Sequence, residues 1–156
     1  MKIGIIIYSQ TENTFSVAQK LSEKLSADRH MVNIERVVPE GEVKPNDVDV
    51  SFREQPDITS YDVLIFGSPV HAFNVAPAMK AYLNQIPSLQ DKKVACFVTK
   101  SLPFDLTGGN QAIKLMKTIC QSKGGSILGS GIVNWSMSRE KRIKNLIDFF
   151  SSLFSG

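Results

Sequence analysis

Seven consecutive residues, Tyr8-Ser9-Gln10-Thr11-Glu12-Asn13-Thr14, follow the apolar run Ile3 to Ile7 and lead into an amphipathic stretch. The Ser9, Thr11 and Thr14 hydroxyls and the Asn13 amide are hydrogen-bonding groups of the kind that hold a phosphate. A helix starting here turns its unpaired backbone N–H groups, with the positive end of its dipole, toward the same place. Gln10 and Glu12 add backbone N–H donors. The turn contains no Lys or Arg. Phosphoryl transfer needs cationic or metal groups to take up developing charge, so neutral donors alone point to a bound cofactor phosphate. The plainer alternative is a polar turn whose hydroxyls only cap the helix.

Other phosphate-binding turns lack their chemistry in this chain. There is no G-x-G-x-x-G of a dinucleotide fold and no G-x-x-x-x-G-K-[ST] of a P-loop. A phosphatase turn needs a Cys nucleophile and an Arg, and residues 9 to 14 have neither. A phospho-accepting receiver needs paired acids after its first strand, where this chain has Ser9-Gln10.

The elements that must position this turn alternate along the chain. Lys2 to Tyr8, Met31 to Val37, Asp62 to Gly67, Lys93 to Thr99 and Ser126 to Val133 are short β-rich runs. The first, third and fourth are continuously apolar, as buried parallel strands are. Helical spacing appears at Phe15, Ala18, Leu21 and Leu25, then at Val75, Met79, Leu83 and Ile86. It returns at Ile113, Met116 and Ile119, and finally at Ile143, Leu146, Ile147, Phe150, Leu153 and Phe154. Pro77 suits a first helical turn, and Ser138 is an N-cap candidate for the last helix. Five parallel strands joined by crossover helices form a doubly wound α/β sandwich of three layers. With strand order 2-1-3-4-5, ligands bind outside the carboxyl ends of the first and third strands. Residues 39–60 hold three prolines and little periodicity where a crossover helix is expected. They read as a surface crossover with a short edge strand at Val48 to Phe52.

Length and charge bound the function. A chain of 156 residues with 21% charged residues fits one globular domain, 1–156, with a full core. No run is long enough to span a bilayer, and the first strand lacks a signal cleavage site, so a cytoplasmic protein is expected. Cys96 and Cys120 read as reduced core thiols, and with only His30 and His71 there is no metal-ligand cluster. The cluster Arg139, Lys141, Arg142 and Lys144 reads first as a solvated helix face and second as a dock for an acidic redox partner. No aromatic platform accompanies it, so nucleic acid is not expected.

The turn Ser9-x-Thr11-x-Asn13-Thr14 resembles the phosphate loop of flavodoxins, and the resemblance extends over nearly the whole chain. It implies the flavodoxin-like fold and FMN as cofactor. Ser9 to Thr14 would hold the phosphate. Two later loops would hold the isoalloxazine ring: Ser68-Pro69-Val70-His71-Ala72-Phe73, which resembles the family's Gly-Ser/Thr-Pro-x-aromatic pattern after Gly67, and Thr99-Lys100-Ser101-Leu102 with Phe104. Gly108 and Gly109 would close the second loop. His71, Phe73 and Phe104 can give a flat ring its π faces. The resemblance is to the short-chain kind, since no insertion interrupts Ser126 to Val133. It implies an electron carrier working between a reductase and an acceptor protein, as a monomer or weak dimer. No residue is assigned a catalytic role. The alternative is a small FMN-dependent NAD(P)H, quinone or protoporphyrinogen-type oxidoreductase, with His71 and residues 39–60 lining its pocket.

Two departures from the family matter. Val70-His71-Ala72-Phe73 has no Gly, and a peptide flip there would cost about 1 kcal/mol or more, so weaker stabilisation of one-electron-reduced flavin is expected. Flavodoxins tend to be acidic around the ring, whereas this chain has a pI of about 8.9 and places Lys100 and His71 in the ring loops, so a higher two-electron potential is expected.

Overall fold

The computed structural model describes residues 1–10, 12–71, 74–101, 108–136 and 138–155. Its sheet is built from β1 (Lys2–Ile7), β2 (Met31–Arg36), β5 (Val63–His71), β7 (Lys93–Lys100) and β8 (Ser126–Asn134), in the order β2-β1-β5-β7-β8 with every neighbour parallel. Counting only these parallel strands gives the expected order 2-1-3-4-5.

Alternation along the strands divides the core between two faces. Ile3, Ile5, Ile7, Val63, Ile65, Ala95 and Phe97 pack with α1 (Glu12–Ala27) and α4 (Arg139–Phe154). Ile6, Leu64, Phe66, Val94, Cys96 and Val98 pack with α2 (Pro77–Gln85) and α3 (Gly109–Ser122). Pro77 occupies the start of α2, as its position in the sequence suggests. Gly67 pairs with Phe97, and a Cβ on Gly67 would lie 2.3 Å from the Phe97 ring. The missing side chain is the space the ring fills. Cys96 and Cys120 meet in the α3 face. Their mutual hydrogen bond, and then burial, push the Cys96 thiol pKa well above its ordinary value.

Four details differ from the sequence reading. The third parallel strand continues to His71, past the expected end at Gly67, because Ser68 and Pro69 extend the ladder with Val98 and Thr99 of β7. Pro69 costs no ladder bond: odd residues of β5 face β1, and β1 has ended by then, Tyr8 N–H reaching Gly67 C=O at 3.1 Å. β5 then turns back through β6 (Asn74–Val75), so Val75 belongs to a hairpin and not to the second helix.

In residues 39–60 the short strand is β4 (Phe52–Glu54), placed later than expected, and it pairs antiparallel with β3 (Val38–Pro39). Phe52 anchors it edge-on to Tyr82 of α2, with ring centroids 6.1 Å apart. Finally, Ser138 stands at the N-cap of α4, but in a left-handed conformation with φ 48° and no side-chain cap bond.

Candidate site at the strand ends

The carboxyl ends of β1, β5 and β7 open on one cavity of about 140 Å³, lined by Gln10, Asn13, Pro69, Val70, His71, Thr99, Lys100 and Ser101. Every one of these residues is among the sequence-assigned positions. The polar turn contributes Gln10 and Asn13, the latter in the first turn of α1, where backbone donors and the helix dipole converge. Such a donor set fits a phosphate.

The hairpin supplies one wall. Ser68 is fully buried, its hydroxyl donating to Pro69 C=O at 2.9 Å and accepting from Ala76 N–H at 3.3 Å. It therefore braces the hairpin from beneath. His71 is half-buried, and burial lowers its pKa, which keeps the imidazole neutral. Tyr8 stands edge-on to it at 6.3 Å between centroids and 85° between planes. Burial raises the Tyr8 pKa against the opposing effect of a side-chain hydrogen bond with Gln10. Tyr8 had no role in the sequence reading. Its position at the end of the first apolar strand, between core and turn, was the available signal.

The third wall comes from β7. Thr99 Oγ1 lies 3.0 Å from Thr14 Oγ1, both residues buried, so the two hydroxyls join α1 to β7 at the cavity wall. Thr14 is buried and does not line the cavity. Lys100 is only 8% exposed, unlike a loop lysine reaching into water. Its stem passes the position of Gly109, where an added Cβ would lie 3.5 Å from Lys100 Cδ and 3.2 Å from Ile132 Cδ1. Gly108 caps α3 with φ 95°, a conformation that favours glycine. The glycine pair thus starts α3 and leaves room for the lysine stem, and neither glycine lines the cavity.

Glu12 is exposed and lies 3.8 Å from Arg36, away from the cavity. Ser9 adjoins the cavity in sequence without lining it. Thr11, Ala72, Phe73, Leu102 and Phe104 lie outside the described residues. The expectation built on a peptide flip at 70–73 therefore rests partly on positions not described. A fourth strand end missed by the sequence reading borders the site. Asn134 pairs with Lys100, Trp135 N–H donates to Lys100 C=O at 2.7 Å, and Arg139 stacks 4.9 Å over the Trp135 ring.

A larger groove of about 630 Å³ runs beside β2, lined by Phe15, Ile34, Pro56, Arg36, Glu35, Glu54 and Asp57 among others. Three carboxylates against one guanidinium make it a poor place for a phosphate, so the smaller cavity carries the anion chemistry. Among the described residues no group of three His, Cys, Asp or Glu could hold a metal ion, and no helix is long and apolar enough to cross a membrane.

Residues 1–140 match the family model described as NADPH-dependent FMN reductase. No curated protein matches the sequence. Similar solved structures include oxidised Flavodoxin 2 from Bacillus cereus, at 21% identity and TM-score 0.72, covering 99% of this chain and 97% of that one. Two-electron reduced flavodoxin from Megasphaera elsdenii matches at 20% identity and TM-score 0.69, with 96% and 98% covered. A flavoprotein in complex with FMN from Lactobacillus acidophilus matches at 18% identity and TM-score 0.66, with 92% and 97% covered. At these identities the likeness establishes the α/β flavodoxin-like fold.

Proposed function

The chain belongs to the NADPH-dependent FMN reductase family, and from that premise we propose that it holds FMN at the ends of β1, β5 and β7 and passes electrons between partner proteins. The observation that carries this reading is the single cavity joining Gln10 and Asn13 to Pro69–His71 and Thr99–Ser101. A donor-rich helix start beside a half-apolar wall suits a ligand with a phosphate at one end and a flat ring at the other.

FMN, when bound, supplies the redox chemistry itself, and the protein's residues set its environment. Gln10, Asn13 and the start of α1 bind the phosphate. Pro69, Val70 and His71 form a wall that excludes water from one side of the ring, with Tyr8 supporting His71 from behind. Lys100 brings a buried positive charge to the opposite wall, where it favours a ring that gains negative charge on reduction. Ser68, Thr14, Gly108 and Gly109 hold these walls in place. Among the described residues lining the cavity, His71 is the one imidazole and none is a carboxylate, which suits a carrier better than a proton-transferring enzyme.

The family's description favours a second reading, in which NADPH reduces the flavin directly. One experiment tests both. FMN-loaded protein is mixed anaerobically with NADPH, then with dithionite, while the flavin absorbance is followed. Bleaching by dithionite alone supports the carrier reading. Rapid bleaching by NADPH replaces it with the reductase reading, and failure to retain FMN overturns both.

A further inference from the structure

The chain carries a formal net charge of +3, and the stretch Arg139 to Lys144 alone holds four cations against one acid. The whole excess of positive charge therefore sits in six residues at the start of α4, and the rest of the chain is balanced. Their charged members are exposed, and they follow the carboxyl end of β8, the strand whose Asn134 pairs with cavity residue Lys100. Lys20 of α1 approaches the same place, 3.6 Å from Glu140. At the other end of the sheet, residues 40–57 beside β2 hold six acids against two cations. Charge is thus polarised along the sheet, with its positive end on the rim of the site.

Local stability explains only part of this placement: Lys144 pairs with Asp148 one turn on, at 2.7 Å. Cations at a helix start oppose the dipole, and Ser138 provides no side-chain cap to compensate. Cations that oppose the dipole of their own helix start, gathered beside a site, point to a role beyond the helix. The half-buried Trp135, covered by Arg139 at 4.9 Å, adds an aromatic surface between this cluster and Lys100.

We propose that the rim formed by Trp135, Arg139, Lys141, Arg142 and Lys144 is the docking surface for a redox partner protein that presents an acidic patch, bringing its redox centre to the strand-end cavity. The proposal rests on the electron-carrier reading above. Complementary charge guides encounter and sets orientation, so its mark is a rate that falls with salt for acidic partners.

The test uses the FMN-loaded, dithionite-reduced protein in anaerobic stopped flow. The acceptors are the acidic soluble domain of cytochrome b5 and the basic cytochrome c, each taking one electron, so one fully reduced flavin reduces two. Lys141→Glu/Lys144→Glu is compared with Lys93→Glu/Lys114→Glu, which makes the same net-charge change at exposed lysines outside this rim. At an ionic strength of about 20 mM the rim variant should reduce cytochrome b5 about tenfold more slowly than wild type, and the difference should vanish near 0.5 M. The control variant should lose much less.

Equal losses in the two variants, or no loss in either, would overturn the proposal. So would binding of the rim to phosphatidylserine vesicles without any effect on the cytochrome b5 rate, which would assign it to a membrane surface. If the protein retains no FMN, the function above fails separately. Salt-dependent binding of cytochrome b5 to the flavin-free chain, lost in the rim variant alone, then still upholds the docking surface, and its absence overturns it.

Discussion

Thr14 on the first turn of α1 and Thr99 near the end of β7, eighty-five residues apart, share a buried hydrogen bond of 3.0 Å. The bond ties the phosphate-turn helix to the strand that presents Lys100. Replacing one partner by an isosteric apolar residue leaves the other hydroxyl without this bond in a buried position. Thr99→Val should therefore destabilise the fold by about 1–3 kcal/mol. Thr14→Val/Thr99→Val should cost less than the two single changes together, because the second substitution removes the orphaned group. Urea unfolding of the four proteins checks this, and strictly additive losses would break the assigned coupling.

Two glycines should respond differently to alanine. At Gly67 a Cβ would meet the Phe97 ring at 2.3 Å, and that ring is fully buried in the middle of the sheet. At Gly131 a Cβ would meet Leu146 Cδ1 at 2.1 Å, but that atom is the free end of a flexible side chain on α4. Gly67→Ala is expected to cost about 1–3 kcal/mol, and Gly131→Ala clearly less. Denaturant midpoints at constant m-value give the comparison.

The parallel sheet was legible because burial on both faces leaves nearly unbroken apolar runs, as in Ile3 to Ile7 and Val94 to Val98. The cavity was legible because its lining follows those runs directly in sequence. The hairpin at β5 and β6 was not, since Ser68 and Pro69 look like a loop until β7 is known to extend beside them and β1 to have ended. Nor was the register of residues 39–60, where pairing of Val38 with Glu54 depends on tertiary anchoring by Phe52 and not on any local pattern. Lys100 stood out by its place after the fourth parallel strand, but its burial was hidden, because the space for its stem comes from a glycine nine residues later.

That burial gives Lys100 a measurable role if the flavin binds as proposed. Lys100→Met keeps an unbranched stem beside Gly109 and removes the charge. Loss of a positive group from the cavity wall disfavours reduced, negatively charged flavin relative to oxidised flavin. The two-electron potential should fall by about 30 mV or more, equivalent to a tenfold or larger change in relative affinity. Spectroelectrochemical titration of the FMN-loaded variant decides the matter. An unchanged potential would show that the ammonium does not sense the ring.

His71 should leave a signature in stability against pH. Burial holds its folded-state pKa below the ordinary value, because the charged imidazolium is poorly solvated beside Tyr8 and the hairpin. Nothing among the described cavity-lining residues offers a carboxylate to counter this. As pH drops through the ordinary histidine value of about 6.5, the unfolded chain takes up the proton first. Folded stability therefore falls with decreasing pH in that window and levels off below the depressed pKa of the folded state. His71→Asn removes the titrating group, so the wild-type minus variant difference in unfolding free energy should decline from about pH 7 downward. Subtracting the variant cancels the contributions of His30 and the surface carboxylates. A difference that stays flat between about pH 8 and pH 5 would mean that His71 titrates alike in the folded and unfolded chains, and that the hairpin wall is more hydrated than its packing against Tyr8 requires.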